Sequence, residues 1–591
     1  MARSRMDTFE AKEKSILELF SQKISYKIPT YQRPYGWGKD HVEQFCEDII
    51  TSYKNNKESY LLSSIILIQD SKDKHSYEVV DGQQRLTTIS IFLSVLSSFL
   101  KKEELRGEIK ERILKKSKEA RVQRLKTDSS FATDFDMILK EFNYDKIQEK
   151  LKISTNKKNK FYLNSIYIYE YLQELSKENF DFDDFYDYFT EEIYLIKVHT
   201  MELDKAMKLF EVLNARGLPL KNSDLIKNFI ISQIYKSYEE EDKLNQEKIF
   251  IGKWKEISNL MSDLEEDMED IFTYYLYFKL GENPKKNLFE EFKVIFNKEF
   301  NNTDKGIILI EEFTKEFYNF YEIYKSLFTL SGLKNKEEIS FYRKINLMRY
   351  LKEGRFWKTI LLTYKLKSKT PEQFNELVDI LFKFYYLNWF ARETVNPYKQ
   401  LSFNIIKSIK GDKFDLPEKY SKINGEDLNK TIFNLDILKK VLFENYFKDR
   451  DVLSKVKKEL NEDVYSEKWC KSLLLILEYN RKEELDKEVF NIKDKQIQIE
   501  HVYPQESKTK IDNLEPLKNN LGNLTLLYGD KNRKFSRFEY SEKKEKYSEL
   551  KVKKFELSKE VFERASDKWC SGDIEERQKG LIEEFYEIFN I

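Results

Sequence analysis

At 591 residues the chain is long enough for roughly two to four domains; with 35% charged and 15% aromatic side chains but only 16 glycines and 9 prolines, it reads as helix-rich. Its 103 basic residues balance 103 acidic ones, so net charge neither requires nor excludes a nucleic-acid partner, and only local charge bears on one. No apolar run approaches the ~18–20 residues that span a bilayer, Met1–Lys14 lacks a secretion signal's apolar core, and Cys46, Cys470 and Cys570 are scattered, so a cytoplasmic protein with no membrane partner is expected.

In chain order, the first informative stretch is Ile28-Pro29-Thr30-Tyr31-Gln32-Arg33-Pro34-Tyr35-Gly36-Trp37. Its prolines fix the backbone in an extended path that presents three aromatics and an arginine. Ser76–Val80 then reads as a strand running into Asp81-Gly82-Gln83-Gln84-Arg85, followed by a breaker-free helix over Leu86–Leu100. A strand, a glycine turn and a helix N-terminus form an anion site, because unpaired N–H groups and the helix dipole face the ligand. Arg85 adds a fork matched to phosphate oxygens, Gln83 and Gln84 add neutral donors, and Asp81 can hold Mg²⁺ or orient a water. Lys101–Lys126 is basic but reads as a solvated helix face. Phe210–Leu220, containing Asn214 and Arg216, reads as a helix end and a Gly-Pro turn before a helix capped by Ser223. Residues 240–440 are helical by pattern, and clusters such as Tyr274–Phe278 and Phe382–Trp389 read as contacts between helices.

The C-terminal part carries the densest chemistry. Gln496–Ile499 alternates as a strand and delivers Glu500 and His501 at its end; Leu524–Tyr528 is a second strand, and the charged, glycine-free Lys543–Lys554 a helix. Strand, loop, strand and helix, with His first and Asn523 and Asn532 after it, is the order of a His-Me finger (HNH-type) nuclease. Phosphodiester hydrolysis needs a base to activate water and a cation to neutralise developing charge. A neutral His501 meets the first need near pH 7. Glu500 and the Asn532 amide oxygen are hard ligands suited to Mg²⁺ or Mn²⁺. Asn523 is expected to fix the loop and the His501 ring, and Lys534 to hold a phosphate oxygen. Lys531–Lys554 is expected to track a polyanion.

Glu-His-x-x-Pro, Gly-Asn-Leu-Thr-Leu and Asn-x-Lys-Phe-Ser, with Tyr540, Lys543 and Tyr547 downstream and Trp569…Ile574-Glu575-Glu576-Arg577…Leu581 closing the chain, resemble the nuclease half of GmrS/GmrD-type modification-dependent restriction enzymes. Asn532 departs from the broader HNH pattern, which ends in His. Pro-x-Tyr-Gln-Arg-Pro-Tyr, Asp-Gly-Gln-Gln-Arg and Asn-x-Arg-Gly resemble that family's N-terminal nucleotidase domain, whose fold is ParB/sulfiredoxin-like. The resemblance covers roughly residues 10–235 and 440–591. It implies nucleoside triphosphate binding and hydrolysis (GTP, ATP or CTP) by Gln32, Arg33, Asp81, Gly82, Gln83, Gln84, Arg85, Asn214 and Arg216, gating a metal-dependent nuclease.

The expected fold is therefore α+β, multidomain and predominantly helical: a ParB/sulfiredoxin-like α/β domain over 1–235, a helical coupling region over 236–439 and a ββα-metal nuclease over 440–591. The expected function is a nucleotide-regulated endonuclease of a bacterial anti-phage system, cutting or nicking modified DNA. Tyr31 and Tyr35 sense DNA in this reading or wall the nucleotide pocket. Double-strand cutting would call for a homodimer or successive nicks. An RNA-directed toxin nuclease, or an NTP-switched DNA-binding protein with an inactive nuclease fold, are the alternatives.

Overall fold

The computed structural model describes residues 10–591 apart from 30–31, 33, 56, 71, 117–120, 128–131, 203–204, 208, 210–220, 301–305, 330–335, 352, 368–369, 424, 483–489, 491–493, 495, 507–510, 512, 529–534, 536–537 and 550–553. The chain divides into two compact units, Met1–Glu256 with Asn301–Glu311, and Ile257–Phe300 with Glu312–Ile591. The stretch set apart in the sequence as 236–439 is thus shared between them.

The first unit is built on strands β1 (Glu10–Ser15), β2 (Ser25–Ile28), β3 (Tyr60–Gln69), β4 (Ser76–Asp81), β5 (Leu114–Lys116), β6 (Arg121–Gln123), β7 (Leu125–Thr127) and β8 (Ile193–Thr200). Six of them form a mixed sheet in the order β1-β8-β3-β4-β2-β7, while β5 and β6 pair separately. Alternation along β3 and β4 sends Ile65, Leu67 and Val79 into one core and Ile66 and Val80 into a second, so both faces of the sheet centre are covered. β2 and β4 run parallel, which brings their C-terminal ends to one edge. The Pro29–Gly38 loop and the Asp81–Arg85 turn therefore leave the sheet side by side. Every residue of the helix Gln83–Leu96 is buried except Arg85, so this helix runs through the core and presents one cationic side chain at its start. The helix expected after Ser223 begins at Asn222 instead, with Lys221 in the capping position and no side-chain cap.

Among its described residues, the regular structure of the second unit is helical apart from β9 (Lys422–Ile423) paired with β10 (Glu426–Asp427), and β11 (Ile497–His501) paired with β12 (Leu524–Tyr528). The aromatic clusters anticipated as core lie in the helices Met268–Leu280 and Pro371–Phe390, where Tyr275, Leu276, Phe384 and Tyr386 are fully buried. Among the described residues no helix is long and apolar enough to cross a membrane.

Candidate active site

β11 and β12 make an antiparallel ribbon in which His501 faces Leu524 and Glu500 faces Thr525 across the pair. The helix Tyr540–Ser548 reaches it through Lys543, which is wholly buried. Lys543 Nζ donates to Glu500 Oε1 at 2.7 Å and to the His501 carbonyl at 2.6 Å. Burial pushes the Glu500 carboxyl above its usual range and the Lys543 ammonium below its own, while each partner draws the other back. Strand, strand and helix are thus cross-braced at the residue that precedes His501.

Asn523 organises the intervening loop. Its Oδ1 accepts from the Tyr503 N–H at 2.7 Å and from Trp569 Nε1 at 3.1 Å, and its Nδ2 donates to the carbonyls of Lys518 at 2.7 Å and Tyr503 at 3.1 Å. All of its capacity is used on frame groups. The expectation that Asn523 would fix the loop holds, but the group on the imidazole is a different asparagine. Asn519 Oδ1 lies 3.1 Å from His501 Nε2, and Tyr465 meets the same ring edge-on at a centroid distance of 4.3 Å. Asn519 was legible only as turn filler before Gly-Asn-Leu; its sole sequence signal is the crowding of Asn519, Asn520 and Asn523.

His501 is buried, and burial lowers its pKa to about 4, with Lys543 and Lys518 adding to the effect and Asn519 and Asp463 opposing it. The ring is neutral at physiological pH, as a general base must be. An activity that depends on neutral His501 should therefore hold level on its acid side down to roughly pH 5. A pH–rate profile that already halves near 6.5, the value of an unburied histidine, would contradict this.

Of the basic stretch Lys531–Lys554, four lysines are described, and one of them, Lys546, lies over the Phe538 ring. Lys543 is buried, Lys544 is paired with Asp567 at 2.7 Å, and Lys554 is paired with Glu563 at 3.0 Å. Asn532 and Lys534 lie outside the described residues, as do Tyr31, Arg33, Asn214 and Arg216. No group of three His, Cys, Asp or Glu side chains able to hold a metal occurs among the described residues. Glu500, expected as a ligand, has its Oε1 engaged by Lys543. The described residues therefore do not assemble a hard-ligand set.

In the first unit, Gly82 caps the helix with φ +91°, and a Cβ there would sit 2.4 Å from Ile65 Cγ2. Arg85 Nη1 donates to the Ser64 carbonyl at 2.8 Å and lies 3.7 Å from Asp81 Oδ2. Gln32 Nε2 donates to the Val80 carbonyl at 2.8 Å, tying the loop to the end of β4. Gln84, expected as a phosphate donor, is instead a clamp: its Oε1 accepts the N–H groups of Gly36 at 2.8 Å and Trp37 at 3.2 Å. Gln83 is buried beside it. Tyr35 is bound into the same frame. Its hydroxyl meets Thr88 Oγ1 at 2.7 Å and Asn164 Nδ2 at 2.9 Å, and its ring stacks on Phe161. Thr88, Asn164 and Phe161 thus hold both the hydroxyl and the ring of Tyr35.

Both constellations fall inside regions that known families share. Residues 16–231 match the model for the GmrSD restriction endonuclease, N-terminal domain, and residues 451–584 match that for the GmrSD restriction endonucleases, C-terminal domain. A comparison with curated proteins gives no match. The two domain matches stand in order on one chain and together span more than half of it, one containing the Asp81–Arg85 turn and the other the His501 ribbon. The chain belongs to the GmrSD restriction endonuclease family.

Proposed function

We propose that the protein is a nucleotide-regulated DNA endonuclease of a bacterial anti-phage system, acting in the cytoplasm on modified DNA with His501 as general base. The observation that carries this reading is a neutral, buried imidazole, bonded through one nitrogen among the described residues, at the end of a cross-braced ribbon. His501 takes a proton from the attacking water as its oxygen bonds phosphorus, and the P–O bond on the far side breaks, its electron pair staying on the leaving oxygen, which takes a proton from solvent. Asn523 and Lys543 keep the strand end and its loop in position. Dependence on Mg²⁺ or Mn²⁺ belongs to the proposal as an expectation from phosphodiester chemistry.

The first unit is proposed to bind and hydrolyse a nucleoside triphosphate on a ParB/sulfiredoxin-like frame. Arg85 supports this, since it is the one side chain of its helix that is not fully buried, at the end of the sheet where the Pro29–Gly38 loop also emerges. Gln32 and Gln84 are assigned to holding that loop, with Tyr35 as its wall.

The test is one matched assay of wild type, His501→Ala and Arg85→Ala on unmodified, glucosylated-hydroxymethylcytosine and phosphorothioate DNA and on RNA. Mg²⁺ or Mn²⁺ and GTP, ATP or CTP are supplied in turn. His501→Ala is expected to lose cleavage by about 100-fold or more while nucleotide turnover continues. Arg85→Ala is expected to weaken nucleotide binding by about tenfold or more, since losing a charge-assisted contact costs ~1.5–3 kcal/mol. Full cutting by His501→Ala would remove the base assignment, and degradation of RNA alone would redirect the enzyme to RNA.

A further inference from the structure

The hydrogen bond that His501 makes has a direction, and a residue outside the motif sets it. Asn519 lies between His501 and Asp463: its Nδ2 is 2.8 Å from Asp463 Oδ2, and its Oδ1 is 3.1 Å from His501 Nε2. Burial disfavours the Asp463 charge, but hydrogen bonds from the Ser466 N–H, the Asn519 amide and the Ser466 hydroxyl hold its carboxyl below the usual range. An ionised carboxylate only accepts, so the Asn519 NH₂ must point at Asp463 and the amide oxygen at the imidazole. An amide oxygen only accepts as well, so Nε2 must carry the ring proton. A neutral imidazole has one such proton, which leaves the basic lone pair on Nδ1. No described residue bonds Nδ1.

The same segment grips Asn519 elsewhere. The N–H groups of Val464 and Tyr465 both donate to the Asn519 carbonyl at 3.2 Å, and the Tyr465 ring rests against His501. Asn519 is therefore held at both its backbone and its side chain by residues 463–465, and the imidazole is fixed from two sides.

We infer that Asp463 and Asn519 form a positioning pair that holds His501 in the Nε2–H tautomer and leaves Nδ1 as the nitrogen that receives the proton of the attacking water. This rests on the reading of His501 as the base. A ring in the other tautomer would present an N–H to the water and could not act.

The chain has four histidines, so full-length protein labelled with ¹⁵N-histidine gives four ring spin systems, and the spectrum of His501→Ala identifies that of His501. At neutral pH the wild-type ring should show a protonated Nε2 and an unprotonated Nδ1. Asn519→Ala should shift the ring to a mixture of tautomers and lower kcat by about 10- to 100-fold with KM changed by less than about threefold, since it removes orientation and not binding. Asp463→Ala, at an exposed position away from the loop, should move the same nuclear resonances without unfolding the protein. A wild-type Nδ1–H ring, or an unchanged ring spectrum in both variants, would overturn the inference. If His501→Ala cuts like wild type, the base reading fails and takes this inference with it. An Nδ1–H ring in an enzyme that His501→Ala inactivates would remove this inference alone.

Discussion

Lys543→Met is expected to be the most damaging single change in the C-terminal ribbon, lowering its stability by about 3–5 kcal/mol. The side chain is fully buried and its ammonium contacts both Glu500 and the His501 carbonyl. Removing one partner of a buried pair leaves the other charge without compensation. Glu500 would have to take up a proton or draw in water, and the His501 carbonyl would lose its donor. The measurement is denaturant unfolding of the full chain with a double-mutant cycle. Glu500→Leu alone should also be destabilising, because it strands the ammonium. Glu500→Leu combined with Lys543→Met should recover most of the loss, since neither charge then remains. Singles that unfold at the wild-type denaturant concentration would show that the pair does not hold the ribbon.

The same cycle separates two roles for Glu500. If the folded double variant regains cleavage along with stability, the carboxylate belongs to the frame. If it stays folded and does not cut, Glu500 has a chemical part, and exchange of Lys543 for Mg²⁺ or Mn²⁺ becomes the reading to pursue.

Local patterning reached far into this site. Leu524–Tyr528 reads as a strand and is β12 to the residue, and Gln496–Ile499 lies within one residue of the start of β11. Strand β4 extends one residue past the expected Ser76–Val80, and the helix expected over Leu86–Leu100 runs from Gln83 to Leu96, because β-branched runs, a glycine and a breaker-free apolar stretch mark the elements better than their ends. The helix expected over Lys543–Lys554 begins at Tyr540 and ends at Ser548. What did not show was pairing at a distance. Lys531–Lys554 reads as a track for a polyanion, since nothing local indicates that Lys543 meets a carboxylate on β11. Asn519 and Asp463 escaped for the same reason: each is an ordinary turn residue until the fold brings them to His501. Gln84 was read as a ligand donor because a helix N-terminus invites one, yet its amide oxygen accepts the Gly36 and Trp37 N–H groups and its Nε2 faces the Pro34 carbonyl of the same loop. The sheet order, which joins β1 to β8 and β3 to β8, depends on partners too remote for any window to couple.

Two glycine-to-alanine changes near one helix should move stability in opposite directions. Gly522 lies against the helix Ser571–Phe589, and a Cβ there would fall 2.0 Å from the Ile574 carbonyl oxygen and 3.0 Å from Gln578. The obstacle is backbone, so the helix itself must move. Movement would strain the two bonds from Arg577 Nη1 to the carbonyls of Gly522 and Leu524, each 2.8 Å, and the Trp569 bond to Asn523. Overpacking alone costs about 1–3 kcal/mol, and weakening the charged contacts adds about 1.5–3 kcal/mol. Gly522→Ala should therefore destabilise the C-terminal unit by about 3 kcal/mol or more and abolish cleavage, because it acts one residue from Asn523. Gly580 sits in the same helix at an exposed position where an added Cβ meets nothing within 4 Å. There alanine removes only backbone freedom, so Gly580→Ala should stabilise by about 0.5–1 kcal/mol. Denaturant midpoints of the two variants decide the matter. A Gly522→Ala protein as stable as wild type would mean that the helix does not press on the Leu521–Asn523 turn, and the role given to that contact in holding Asn523 would have to be withdrawn.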